Sequence, residues 1–238
     1  MFTMFAEKIM KTIGLIGGLS WHSTIGYYSI INQIVNQRLG GSHSAKILLY
    51  SADLEEFKSS QEQGAWIRIE QMLSEITVKL QNAGSECLAF ASNTPHVVAD
   101  RIAQRLSIPL LHIAEETAKE IVKHDIVKVG LLGTRFTMGS SFFTDHLRKN
   151  GIETLVSNSD DRNFIHETIF GELTKGMVTH STKIRYLKII ERLKVSGANG
   201  IILGCTELSL LINQTSIDLK LFDTTDIHAR AIADFALS

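Results

Sequence analysis

The chain has 238 residues, enough for one large domain or two small ones that each bury a core. Hydrophobic residues make up 44% and charged residues 21%, with 24 Lys plus Arg against 25 Asp plus Glu. The formal charge of -1 therefore leaves no basic footprint for nucleic acid and no acidic tail, and points to a small-molecule partner. Two Pro and 17 Gly, with no low-complexity tether, indicate that any two domains are joined by short ordered crossovers.

Residues 1–10 carry neither the apolar run of a secretory signal nor the roughly 18 apolar residues of a membrane span, and read as a loose extension. From there, short apolar runs alternate with longer amphipathic segments, the pattern of parallel strands separated by crossover helices. Strands are predicted at 12–16, 47–51, 86–91, 108–112, 127–132, 152–156, 200–203 and 220–222. Helices are predicted at 23–38, 63–83, 97–106, 114–123, 141–150, 162–175, 181–196 and 225–236, and residues 53–63 read as a loop. The fold class that follows is α/β with parallel sheets.

The chain also reads as written twice. T-I-G-L-I-G-G at 12–18 is echoed by K-V-G-L-L-G-T at 128–134, and A-G-S-E-C-L-A-F-A-S-N-T at 83–94 by S-G-A-N-G-I-I-L-G-C-T-E at 196–207. Gly17 precedes Ser92 by 75 residues and Gly133 precedes Cys205 by 72, so both halves space the first strand and a polar tip almost alike. Such a repeat implies two pseudo-symmetric α/β domains, 11–112 plus 224–238 and 113–223. Ligands of open parallel sheets bind beyond the carboxyl ends of the strands. Two such domains with those edges inward would place Ser92 and Cys205 on opposite walls of one site.

Cys205 ends an apolar strand and opens Cys205-Thr206-Glu207, where an adjacent hydroxyl and a helix N-terminus favour a thiolate. Cys87 lies in mid-strand, about 15 Å from its tip at 3.3 Å per residue, and fits core packing. Two cysteines make no disulfide framework, and no Cys/His cluster has zinc spacing. Reduced thiols and a cytoplasmic location are the expectation. Ser92-Asn93-Thr94 offers hydroxyls, an amide and N–H groups for an anion, with a solvated turn or a helix cap as the ordinary alternative. Gly17 to Trp21 lacks both GxGxxG and a P-loop lysine, so a nucleotide cofactor is not supported. His96 and His112 read as structural or capping residues.

G-L-I-G-G-L-S-W-H-S-T at 14–24, S-N-T-P-H at 92–96, L-L-G-T at 131–134 and G-C-T-E at 204–207 together resemble the aspartate/glutamate racemase family, from Lys11 to the end of the chain. The resemblance implies two pseudo-symmetric α/β domains, no cofactor, an amino-acid substrate and a homodimer. It also implies a cysteine on each wall, one thiolate removing the α-proton and the opposite thiol returning one to the other face. Asn93, Thr94, Thr134 and Thr206 match the family's carboxylate-holding positions, Ser20 its loop over the site, and Lys175 a lysine that meets a side-chain carboxylate; a solvated helix-end lysine is the ordinary alternative for Lys175.

The sequence departs from the family where Ser92 replaces the first cysteine. A hydroxyl is too weak an acid to be a comparable base, so the expectation is a racemase that favours L-substrates, with Cys205 as base and Ser92 as slow donor. Glu55 and Glu56 stand where an aspartate enzyme would carry an arginine, which weakens strict aspartate specificity and leaves Glu56 or Gln61 to touch a polar side chain. A single-cysteine decarboxylase-like enzyme and an inactive amino-acid or dicarboxylate binding protein remain the alternatives.

Overall fold

The computed structural model describes residues 10–238, so the extension expected at 1–10 falls almost wholly outside the described residues. By contacts the chain forms two units. One holds residues 10–91, Val98–Leu111 and Ala229–Ser238, the other Ser92–Val97 and His112–His228.

The first unit contains β1 (Ile13–Gly17), α1 (Trp21–Leu39), β2 (Ile47–Ser51), α2 (Leu54–Glu62), α3 (Trp66–Asn82), β3 (Cys87–Phe90), α4 (Ala99–Ala103) and β4 (Leu110–Leu111). Its four strands form a parallel sheet in the order β2-β1-β3-β4. β1 pairs with β3 from Ile13↔Cys87 to Ile16↔Phe90. Both strands are buried along their whole length, as strands covered on both faces must be, which is why they appear as unbroken apolar runs. Tyr27 and Ile31 of α1 join Ile13, Leu15, Cys87 and Ala89 in the core.

The second unit contains α5 (Ile113–Val122), β5 (Lys128–Gly133), α6 (Arg135–Gly139), α7 (Ser141–Lys149), β6 (Glu153–Leu155), α8 (Ser159–Gly171), α9 (His180–Val195), β7 (Gly200–Gly204), β8 (Lys220–Asp223) and the start of α10 (Thr224–Ala236). Its sheet is again parallel, in the order β6-β5-β7-β8. Adding four to each strand number of the first sheet gives the second, so the duplication read from the sequence is present in the topology. Val129, Leu131, Phe143, Tyr186, Ile189, Ile201 and Phe222 form its core.

All eight predicted strands are present, displaced by a residue or two at most ends. Two helices went unpredicted. Residues 53–63, read as a loop, form α2, with Asp53 capping the Glu55 N–H at 3.0 Å and Glu55 and Glu56 favouring the positive end of the helix. Only Phe57 and Ser60 of α2 are buried, too few for a visible apolar stripe. The short α6 is capped by Thr134 and was hidden behind the strand-end turn. The helix expected at 162–175 breaks after Gly171 and resumes as a single 3-10 turn, Leu173–Lys175, closed by Gly176 in the left-handed conformation.

The G-G-x-S-W-x-S-T segment is built from internal hydrogen bonds. Gly18 N–H donates to Thr24 Oγ1 at 2.9 Å, Thr24 Oγ1 donates to the Ser20 carbonyl at 3.0 Å, and Ser23 Oγ donates to the Ala91 carbonyl at 2.7 Å. Gly18 has φ +80°, and a Cβ there would lie 2.0 Å from the Ala52 carbonyl oxygen. Gly18→Ala is expected to cost ~1–3 kcal/mol of stability, read as a lower urea midpoint. Gly26→Ala, which meets open space in mid-α1, should be neutral or stabilising by ~0.5–1 kcal/mol.

Candidate active site

The polar groups gather at the carboxyl end of the second sheet. Gly133 and Gly204 face each other at the ends of β5 and β7, so Thr134 and Cys205 leave neighbouring strands side by side. A Cβ on Gly204 would lie 2.9 Å from both the Leu132 carbonyl oxygen and Thr137 Cγ2. Glycine is therefore what lets the strand ends and the first turn of α6 close together.

Cys205 is half-buried and precedes the 3-10 turn Thr206–Leu210. Its Sγ donates to Glu207 Oε2 at 2.9 Å, and Thr206 Oγ1 donates to the same oxygen at 2.7 Å. Burial first, and then the Glu207 charge, push the thiol well above its ordinary range. This reverses the sequence expectation. The backbone N–H groups of Thr206 and Glu207 favour the thiolate, but burial and the adjacent carboxylate outweigh them, so Cys205 rests as a thiol.

Ser92 also belongs to the second unit, and its hydroxyl makes no hydrogen bond among the described residues. Its main chain is held by His96, whose Nδ1 lies 2.9 Å from the Ser92 carbonyl and 3.2 Å from that of Asn93. Because carbonyls only accept, Nδ1 carries the proton. His96 is thus a structural residue, as its sequence position suggested. His112 is one as well, with Nδ1 accepting the Ala114 N–H at 3.2 Å to cap α5. His96, His112, His146 and His228 form a buried set of rings, with centroids 4.8 Å (His96–His112), 5.4 Å (His96–His228) and 4.0 Å (His112–His146) apart. Scattered through the sequence, they gave no sign of meeting.

Asn93 Nδ2 donates to Thr224 Oγ1 at 3.2 Å, and that hydroxyl spends its proton on the Leu203 carbonyl at 2.9 Å, which fixes the orientation of the amide. Asn93 Oδ1 is left buried without a partner. Thr134 Oγ1 accepts the Thr137 N–H at 3.3 Å and shares a 3.2 Å contact with Thr137 Oγ1. Thr94 opens the turn Thr94–Val98. In the other unit Ser20 caps α1 by accepting the Ser23 N–H at 3.3 Å. Lys175 is exposed and has no ion-pair partner among the described residues.

Two groups escaped the sequence reading. Glu207 was visible two residues after Cys205 but had no role until the hydrogen bond was seen. Arg135, directly after Thr134, reaches Asn163 Oδ1 at 3.3 Å, and its N–H donates to His166 Nδ1 at 3.3 Å. Burial and the Arg135 charge lower the His166 pKa. Cys87, wholly buried, is pushed up to about 12 by burial and then by the Glu86 charge, as a core thiol should be.

A duplicated α/β enzyme with a strand-end thiol is the class that this fold and site define. The sequence profile of the Asp/Glu/Hydantoin racemase family matches residues 16–232. A solved protein of Yersinia pestis, provisionally named an Asp/Glu racemase, is 46% identical, with a TM-score of 0.93 over 96% of this chain and 100% of that one. An aspartate racemase homologue of Pyrococcus horikoshii is 34% identical, with a TM-score of 0.86 over the same shares of 96% and 100%. The broad specificity amino-acid racemase RacX of Bacillus subtilis is 30% identical over 65% of this chain and 66% of its own length. The chain belongs to the Asp/Glu/Hydantoin racemase family and is thereby placed among the racemases, a class of isomerase. No helix among the described residues is long and apolar enough to cross a membrane.

In the native protein, iodoacetamide should alkylate Cys205 with a pH midpoint above the ~8.5 of a free cysteine. Cys87 should react only after denaturation. Peptide mass spectrometry across a pH series separates the two.

Proposed function

We propose that the chain is a cofactor-independent racemase of acidic or related amino acids, with Cys205 as the base for L-substrates and Ser92 as a slow proton donor to the opposite face. The observation that carries this reading is the Cys205 thiol, set at the carboxyl end of β7 against a carboxylate at 2.9 Å. An α-proton is a very weak acid, so the site must also stabilise the charge that develops toward the α-carboxylate and exclude water.

The hydrogen bonds support a division of labour among the polar residues. Thr134 already accepts from the Thr137 backbone and can accept from its hydroxyl, leaving its own proton for a substrate carboxylate. Asn93 offers an acceptor, Oδ1, which suits the α-ammonium better than the carboxylate expected from family position. Thr206 spends its proton on Glu207 and serves the thiol instead. Ser20 and Thr94 are assigned by the family match alone. Lys175 and Arg135 are the cations available to an acidic side chain. The reading includes a homodimer in the cytoplasm and no nucleic-acid or membrane partner.

A second reading is favoured by the protonated state of Cys205. A thiol poised to donate suits a decarboxylase-like enzyme that protonates a planar intermediate from one face, identified by carbon dioxide release from a substituted malonate.

Deuterium incorporation at Cα, followed by proton NMR in D₂O with L- and D-aspartate and glutamate, tests the first reading. Exchange should be confined largely to L-substrates and fall at least ~100-fold in Cys205→Ala. Ser92→Cys should raise exchange of D-substrates. Equal exchange from both enantiomers in the wild type would defeat the one-sided assignment, and no exchange with any of them would defeat the racemase reading.

A further inference from the structure

We propose that the cavity between β8 and the loop that follows Cys205 binds a small aliphatic ammonium ion, whatever reaction the thiol performs. The cavity is about 320 Å³, at the small end of the range that holds small molecules, and lies wholly within the second unit. Cys205, Ser92, Asn93 and Thr134 lie outside its lining. Its shape is fixed by the loop itself. Gln214 Oε1 accepts the Leu221 N–H at 2.9 Å and Gln214 Nε2 donates to the Leu219 carbonyl at 2.8 Å, which pins the loop to the edge strand.

One wall is apolar, where the buried side chains of Leu203, Ile212 and Phe222 meet. The other is anionic, with Asp223 and Asp226 side by side. Asp223 Oδ1 accepts the Thr225 N–H at 2.9 Å and the Asp226 N–H at 3.4 Å. Burial first, with the Asp226 charge a further cause, raises its carboxyl above the ordinary range, and among the described residues no cation acts on it. A largely buried carboxylate without a counter-ion carries a desolvation cost that a bound cation relieves. Glu120 also lines the cavity, but Lys123 meets its charge at 3.0 Å. Lys220, the cation of the lining, is exposed. The apolar wall decides the kind of cation. Mg²⁺ and Ca²⁺ need about six or more oxygen ligands, whereas an alkylammonium sets its head on carboxylates and its chain on hydrocarbon. Ser209 lines the cavity and donates to the Thr206 carbonyl at 2.9 Å, so an occupant meets a residue tied to the turn after Cys205.

The test follows backbone amide shifts of the isotope-labelled protein by NMR while n-butylammonium, n-butanol, butyrate or Mg²⁺ is added at constant ionic strength. n-Butylammonium should saturate below ~10 mM and move the Ser209, Leu221 and Asp226 amides together. Asp223→Asn keeps an oxygen for the two N–H groups it caps and removes the charge, so binding should weaken at least ~10-fold while the spectrum stays that of the folded protein. Glu120→Gln, whose charge is already met, should bind within about threefold of wild type. The site is overturned if n-butanol or butyrate saturates these amides as readily, or if Mg²⁺ does so at lower concentration. Binding in Asp223→Asn within threefold of wild type overturns it as well, as do shifts confined to amides away from the cavity.

Discussion

The approach of two strand ends governs the second unit. β5 and β7 run in register until Gly133 meets Gly204, where a Cβ on Gly204 would lie 2.9 Å from the Leu132 carbonyl oxygen and one on Gly133 3.0 Å from Thr137 Cβ. Because the backbones close there, the next residues of the two strands, Thr134 and Cys205, emerge as neighbours. The close approach that brings the capping hydroxyl beside the thiol depends above all on the missing side chain of Gly204. Glycine costs conformational entropy within a strand, and the fold accepts that cost where the chemistry begins.

What the thiol meets on emerging is a charge of the same sign as its own anion. A site that relied on a resting thiolate would surround it with cations; here the backbone N–H groups of Thr206 and Glu207 favour the anion, but burial and the Glu207 charge outweigh them. The balance keeps Cys205 protonated at rest. Cys87 shows the other fate of a thiol in this fold, since in mid-strand burial first, and then the Glu86 charge, keep it protonated.

The legible part of the sequence was its periodicity. The central strands β1, β3, β5 and β7 stood out because strands buried on both faces leave few polar residues to disguise them, and the repeated landmarks gave matching sheet orders. α2 was illegible because a surface helix with two buried residues has no stripe to find, although its cap at Asp53 and the acids of its first turn were present. The position of Cys205 was legible; its protonation was not, since it depends on where the Glu207 carboxylate turns. The motif that carried the family resemblance, G-G-x-S-W-x-S-T, owes its hydroxyls to the turn they build: Thr24 ties Gly18 to Ser20, and Ser23 ties the Ala91 carbonyl.

That last hydrogen bond bears on position 92. The chain around it is held by its main chain and by Asn93, with the Ala91 carbonyl bound by Ser23, the carbonyls of residues 92 and 93 by the His96 ring and the Asn93 amide by Thr224, while the Ser92 hydroxyl makes no bond of its own among the described residues. None of these hydrogen bonds depends on the Ser92 side chain. Hydroxyl and thiol differ there by one atom, so exchanging one for the other leaves each of these hydrogen bonds in place. Side chain and architecture are separable at this position.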